Sequence, residues 1–399
     1  MRFDDVIVLC GPDLEPFQCA SFEVQGDTIK HIQKTTPVSV CDGAKRVIIP
    51  GLYNSHTHMG DSFLPDGTTG MTLEEGFFRP NGYKYRQLKA AKRPAHLEAI
   101  CDHLHYMASS GTVCHIDFRE QGEYGVDLLR EASDITGVDS IILGQFAELP
   151  FDDAELAASS KPLSESDLAE LRHILQKANG FSESTMNDLT NPAWQQIREL
   201  TTELGKLRAI HCLENEGYRD VSLKHTGRGD LMRAIELLDP HLIIHLTVAN
   251  AEEIELLAQH GKTGVLNPRA NANLALPLPP INELLNAGIN LLLGTDNGLL
   301  NSPNMFAELD YTYKLTKSQF GDPRKPDPAA ILKMATSNVR PALGGDHYGY
   351  LETGLPASFV VLDFGAPHLK RSRHLLASIL TRVTPAEVLE TYRLGKRIA

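Results

Sequence analysis

The chain of 399 residues contains a single tryptophan and no unbroken apolar run of the roughly 18 residues that a membrane span needs. Cationic residues are also in short supply. Lys and Arg number 38 against 51 Asp and Glu, a formal charge of −13, which disfavours nucleic acid or a membrane surface as partner and points to a small-molecule substrate. The one basic cluster, "HLKRSRH" at 368–374, is short and lacks interleaved aromatics, so it reads as a solvated loop. Six cysteines (Cys10, Cys19, Cys41, Cys101, Cys114 and Cys212) include no CxxC pair. Their scatter excludes a zinc ribbon and speaks for reduced thiols rather than a disulfide framework. The N-terminus, "MRFDDVIVLCGPD", places acids before a brief apolar run, unlike a signal peptide, and the expected location is the cytoplasm. No internal repeat and no low-complexity segment interrupts the chain.

What the chain does contain is ordered in three stretches. Residues 4–48 carry short β-rich runs, "DVIVLC", "SFEVQGDTIKHIQ" and "KRVIIP", separated by Gly, Pro and Asp turn signals. After Pro50, strand-length apolar runs alternate with helical patterns such as "HLEAICDHLHYMASSG" and "AEEIELLAQHG", each closed by glycine. Eight buried strands are expected, near 48–56, 112–118, 141–147, 178–182, 207–213, 242–247, 262–267 and 290–295. Eight strands alternating with helices are the pattern of a closed (β/α)8 TIM-like barrel, whose catalytic residues lie at the C-terminal ends of the strands. From about 346 the chain returns to short strands and glycine turns. The expected organisation is an α/β protein with a barrel over 49–345 and a small β-sandwich built jointly from 1–48 and 346–399. The long connection after the first strand, beginning "GDSFLPDGTTG", could cover a pocket.

The first barrel strand ends in "NSHTHMG". Residues two apart on a strand share a face, so His56 and His58 can turn both imidazoles to one point. Three further strand ends carry polar residues after apolar runs: His211 and Glu214 in "LRAIHCLEN", His245 in "LIIHLTVAN" and Asp296 in "INLLLGTDN". Any one of them could be a structural group bonded to a backbone amide. All of them at the catalytic face of one barrel make a site. His56, His58, His211 and Asp296 offer three neutral nitrogens and one carboxylate, a set suited to zinc or ferrous iron with a position left for water. Glu214 and His245 could manage protons beside it.

The segments "PGLYNSHTH", "HCLE", "IIHLT", "GVLNPRANANLAL", "LLLGTDN" and "ETGLPASFVVLD" together resemble the amidohydrolase superfamily, in the branch with cytosine deaminase, chlorotriazine hydrolases and adenosylhomocysteine deaminases. The resemblance covers nearly the whole chain. It implies that His56, His58, His211 and Asp296 bind one divalent metal, zinc or alternatively iron. It also implies that Glu214 relays a proton, that His245 orients the attacking oxygen, and that Asp296 accepts the proton of water. Binuclear relatives use a carboxylated lysine at the end of strand four, and "ANGFSEST" offers none, which favours a single ion. The implied activity is hydrolysis of a C–N bond outside peptides, foremost deamination of a purine, pyrimidine, pterin or triazine type of ring. Hydrolysis of a cyclic amide or a carbon–halogen bond is the alternative, and a noncatalytic binding or assembly barrel is a third reading, against which the complete ligand set argues. A homo-oligomer is what the family implies.

The chain departs from the branch at the seventh strand, where Asn267 and Ala270 replace a cysteine and a serine. The first loop also lacks the arginine and tryptophan pattern of adenosine-type deaminases, so an individual substrate cannot be carried over. Arg119 and Glu120 after the second strand, Gln145 at the third, and Asn271 and Asn273 after the seventh are candidate substrate contacts by position. His103 and His105 share the spacing of the first pair but lie in a helical pattern, where residues two apart face different ways. His115 reads as a packing residue, and alternation turns Cys212 away from the metal. There is no HxE with PCxxC, which argues against a cytidine deaminase type of site.

Overall fold

The computed structural model of the protein describes residues 1–41, 43 and 45–399. Eight parallel strands follow one another in space in chain order: Leu52–His58, Thr112–Arg119, Asp139–Gly144, Gly180–Glu183, Leu207–Cys212, Leu242–His245, Thr263–Leu266 and Asn290–Leu293. A ninth piece, Asp296–Asn297, pairs in parallel with the first strand, Asp296 opposite Thr57 and Asn297 opposite His58. Only Gly294 and Thr295 separate it from the eighth strand, so the two edges of the sheet belong to one strand and the sheet closes on itself as the barrel of the expectation. The seam is sewn by Asn54, whose Nδ2 donates to Thr295 Oγ1 at 2.7 Å while its Oδ1 accepts from Thr295 N at 2.9 Å. Glycine is required at this seam: a Cβ on Gly294 would lie 2.5 Å from His56 Cβ.

Both faces of a closed parallel sheet are covered, which is why the strands read as continuous apolar runs rather than alternating ones. The first strand, "LYNSHTH", is buried at every residue. The helical patterns form where expected, Arg93–Ser109 and Ala251–Gln259, the latter opened by Asn250 and Glu253 in a capping box. One expected boundary needs correction. The apolar run taken as strand one from residue 48 serves two sheets: Arg46–Pro50 belongs to the outer sheet, and the barrel strand starts at Leu52 after Gly51. Hydrophobicity alone does not mark the switch, because the segment is buried on both sides of it.

The outer sheet has seven strands in the order Lys396–Arg397, Val388–Arg393, Phe359–Asp363, Arg46–Pro50, Arg2–Cys10, Glu15–Gln25 and Thr28–Pro37, so both chain ends build it. Phe22 and Phe359 lie on strands separated by two others, yet their rings are 5.0 Å apart. With strands spaced about 4.8 Å apart, the sheet must fold over on itself to bring them together. The fold encloses an aromatic core of Phe3, Phe22, Phe359 and Tyr392. The opposite face, with Ile7, Leu9, Val47, Ile49, Val360 and Leu362, joins the main core against the barrel. Among the described residues, no helix is long and apolar enough to cross a membrane.

Candidate active site

The C-terminal ends of strands one, five, six and eight bring His56, His58, His211, His245, Glu214 and Asp296 around one buried chamber. Alternation on strand one works as the spacing predicts: Thr57 turns outward to His115 and Asp117, while His56 and His58 turn inward with rings 4.9 Å apart. His211 places its ring 4.9 Å from that of His56. One ligand atom each from His56, His58 and His211 lie within 4.8 Å of one another, as do those of His56, His245 and Asp296.

Hydrogen bonding fixes which nitrogen of each ring is available. His58 Nδ1 faces the Phe118 carbonyl at 2.9 Å and Glu120 Oε1 at 2.8 Å, both acceptors, so Nδ1 carries the proton and Nε2 keeps its lone pair. His211 Nδ1 likewise donates to the Glu183 carbonyl at 3.0 Å. His56 has both ring nitrogens buried without a hydrogen-bond partner, an expensive arrangement unless a ligand supplies the missing contact. The Asp296 carboxylate stands 3.2 Å from His56 Nε2 and 3.7 Å from His58 Nε2. One nitrogen of the unpartnered His56 ring, one from each of His58 and His211 and the Asp296 carboxylate are a donor set that fits a divalent cation.

The electrostatics agree. Burial lowers the His56 imidazole to about 3, and burial with the neighbouring His56 and His245 holds His211 well below its usual range, so both rings are neutral. Burial alone would raise the Asp296 carboxyl, but the His56 ring beside it holds it below the carboxylate range. Burial raises the Glu214 carboxyl, with the His245 ring pulling against it, and Glu214 Oε1 lies 3.7 Å from His245 Nε2. Two buried acids in one chamber are thus pushed apart, one toward the ionised and one toward the protonated form, the pattern expected of a base and an acid.

Backbone strain marks the same strand ends. Leu213, His245, Leu246 and Asp296 all adopt positive φ, at 55°, 79°, 57° and 65°, a left-handed conformation that non-glycine residues rarely take. Such strain persists where the surroundings over-determine it, and here it aims His245 and Asp296 inward. The amides of Asn267 and Asn271 meet His245 Nδ1 at 3.4 and 3.2 Å and hold the ring with Nε2 toward Glu214.

The sequence candidates for substrate contact fare unequally. Gln145 is fully buried with neither amide atom paired, and it is not among the residues that line the chamber. Arg119 is not brought to the chamber: its guanidinium is spent on the Gly125 carbonyl, Gln121 and Glu120. Glu120 orients His58. Asn271 serves His245, and Asn273 donates to the Leu300 carbonyl at 2.7 Å, tying two loops together. These residues occupy the rim as expected, but neighbouring loops claim their polar atoms first. His103 donates to Ala99 one helical turn back, His115 bonds Thr57, and Cys212 is buried in the core, each as the sequence suggested.

The sequence suggested the connection that forms the cover, though not which of its residues anchor it. The segment after strand one forms two helices, Leu73–Phe77 and Tyr83–Ala90, over the strand ends. Arg79 donates to Glu183 Oε2 at 2.6 Å and to the Phe146 carbonyl at 3.0 Å. Lys84, almost fully buried, pairs with Glu120 and stands 3.4 Å from Asp61. Tyr85 reaches Ser184 at 3.2 Å, and Phe78 stacks on Tyr218 at 5.5 Å. The chamber is only about 50 Å³ and is lined by Leu73, Phe77, Lys84, Tyr85 and Tyr218 beside the strand-end residues. The charged "FRE" after an apolar strand could have signalled Glu120; nothing in the loop's composition singles out Arg79 or Lys84.

Residues 47–398 match the model of the amidohydrolase family. The chain belongs to the amidohydrolase family. Within it, the chain is 33% identical over 396 residues to a protein of Methanothermobacter thermautotrophicus named provisionally as an aminohydrolase, covering 98% of this chain and 97% of that one. It is 26% identical over 393 residues to the 5-methylthioadenosine/S-adenosylhomocysteine deaminase of Thermoanaerobacter pseudethanolicus, covering 94% of this chain and 87% of that enzyme. In fold it is similar to the crystal structure of a zinc-bound adenosine deaminase from Xanthomonas campestris, with a TM-score of 0.84 at 21% identity over 99% of this chain and 92% of the other. The protein is an amidohydrolase-family hydrolase whose strand-end donors suit a divalent metal.

Proposed function

We propose that the protein is a mononuclear zinc hydrolase that deaminates an amino-substituted nitrogen heterocycle of the aminopurine kind. The observation that carries this reading is Glu214: a buried carboxyl, raised by its burial, that shares one chamber with Asp296 and the histidine cluster. A proton carrier of that kind is what release of ammonia from a ring requires. The deaminase names of relatives support the same chemistry. At the end of strand four stands Glu183, with one oxygen on Phe146 N and the other on Arg79, so no lysine is there to bridge a second ion. On this reading residues 49–345 are the catalytic unit, supported by 1–48 and 346–399.

His56, His58, His211 and Asp296 would hold the ion, with His245 beside them. A divalent cation there supplies Lewis acidity and makes water a competent nucleophile near neutral pH. Asp296, kept ionised by His56, accepts a proton as the water oxygen forms a bond to the amino-bearing ring carbon. Glu214 delivers a proton to the adjacent ring nitrogen, which takes the electron pair of the C=N bond. His245, braced by Asn267 and Asn271, lies where it can hydrogen-bond the new oxygen. The remaining proton of the new hydroxyl passes to the amino nitrogen, the C–N bond breaks, ammonia leaves a ring that now bears a carbonyl, and the proton held by Asp296 returns to Glu214.

The chamber is partly open and holds about 50 Å³ beside the strand-end residues. The test is ammonia release by the zinc-loaded protein across aminopurines, their nucleosides, aminopyrimidines, pterins and triazines, with Glu214→Gln as control. Release from aminopurines or their nucleosides, abolished in the variant, supports the assignment; release confined to another ring class, or none from fully metallated protein, overturns it.

A further inference from the structure

The opposite end of the barrel holds a second set of donors. Cys114 on strand two pairs in register with Tyr53 on strand one and with Asp139 at the start of strand three, so the three stand side by side at the N-terminal rim. His347, from the segment that follows the last barrel helix, closes over them, and its ring meets that of Tyr53 edge-on at 6.0 Å. The Cys114 sulfur, a carboxylate oxygen of Asp139 and a nitrogen of His347 lie within 4.8 Å of one another. Outside the strand-end cluster, no other set of described His, Cys, Asp and Glu residues converges in this way.

We propose that Cys114, Asp139 and His347 form a second divalent-metal site, with zinc as its ion, which fastens the 344–350 segment to the base of the barrel. Thiolate, imidazole and carboxylate together are borderline ligands that select zinc over the hard cations. The surroundings have the features that a metal site needs besides its ligands. Arg393, from the outer sheet, forms an ion pair with Asp139, its guanidinium 3.0 Å from Oδ1, and holds the carboxylate beside the cluster. The Tyr53 hydroxyl approaches His347 Nδ1 at 3.5 Å and steadies the ring. A cavity of about 510 Å³ between barrel and outer sheet opens onto the cluster, giving an entry path and room for water in the fourth position. Asp27 and Asp346 line that cavity and offset the charge of Arg393. The two sites are separate: Phe118, four residues along strand two from Cys114, already touches His56, which puts about 13 Å of packed barrel interior between them.

The site does not depend on the deaminase reading, and its signature differs from that of the strand-end cluster, which contains no thiolate. Cobalt(II) loaded into the full-length protein should show a thiolate-to-metal charge-transfer band in the near ultraviolet. Cys114→Ser and His347→Ala should each remove the band and lower bound metal by one equivalent, while the cobalt d–d absorption of the strand-end cluster and any ammonia release persist. His347 is only half-buried, so its truncation keeps the test valid if Cys114→Ser fails to fold. Absence of the band in metal-saturated wild-type protein overturns the proposal. So does a band that survives both variants, which would assign it to other thiols such as the adjacent Cys10 and Cys19 of the outer sheet.

Discussion

The two ends of the barrel are built from the same strands and treat polar residues in opposite ways. At the C-terminal end, four strands finish in histidine or acid, the backbone is strained at Leu213, His245, Leu246 and Asp296, and a strapped segment reduces the chamber to about 50 Å³. At the N-terminal end, Tyr53, Cys114 and Asp139 stand near the starts of their strands, the left-handed positions there fall on the glycines Gly111 and Gly137, and the cavity below them is roughly ten times larger. The difference teaches where selection for chemistry can act. Strand ends that feed long loops can converge and be covered, whereas strand starts are spaced by the helices that return to them and meet the outer sheet as a supporting surface.

That comparison can be broken by experiment. The largest effect should come from Asp296→Ala, which on the proposed reading removes both a ligand and the base: hydrolysis should fall to background with loss of the bound ion, read by metal analysis and turnover together. Glu214→Gln should separate the two functions. Metal content is expected to stay while kcat falls by about 10²- to 10⁴-fold, the usual contribution of a positioned proton carrier. Next comes Glu120→Gln, which loosens His58 without removing a ligand. It should weaken metal affinity by about 10- to 100-fold in a chelator competition, with the N-terminal donor set unaffected.

The strap gives a smaller effect, on stability rather than chemistry. Lys84→Met leaves Glu120 and Asp61 buried without their cation, and a loss of about 3 to 5 kcal/mol is expected in urea unfolding. The smallest effect sharpens the picture behind the rim. His96, whose ring bonds the Gly60 carbonyl at 2.6 Å, is lowered by burial from 6.5 to about 4. The unfolded chain therefore binds a proton between those values that the folded chain does not. Stability should fall as pH drops from 6.5 toward 4, by up to about 1 kcal/mol per pH unit from this group, and His96→Gln should flatten that part of the profile.

Much of the site was legible before any coordinates. The histidine pair, His211, His245, Glu214 and Asp296 each end a recognisable apolar run, and a strand's period of two places same-face residues without knowledge of the rest of the fold. The substrate contacts were not legible in the same way. Arg119, Asn271 and Asn273 sit at the right positions along their strands, yet Gly125, His245 and Leu300 take up their polar groups. Which of several such residues keeps a free hydrogen bond depends on neighbours distant in sequence; the Gln145 amide is unpaired.

The sequence by itself determined the alternation of strand and helix, the eightfold count and the identity of the strand-end donors, because local periodicity and residue chemistry carry that information. Only the tertiary structure decided that Gly294 lets strand eight pass His56 and that Asn54 closes the seam to Thr295. It alone brought Arg79 and Lys84 down as buried straps, and gathered Cys114, Asp139 and His347 from positions up to 233 residues apart. These are contacts between segments whose separation along the chain leaves no periodic trace, and they exist only once the barrel has closed.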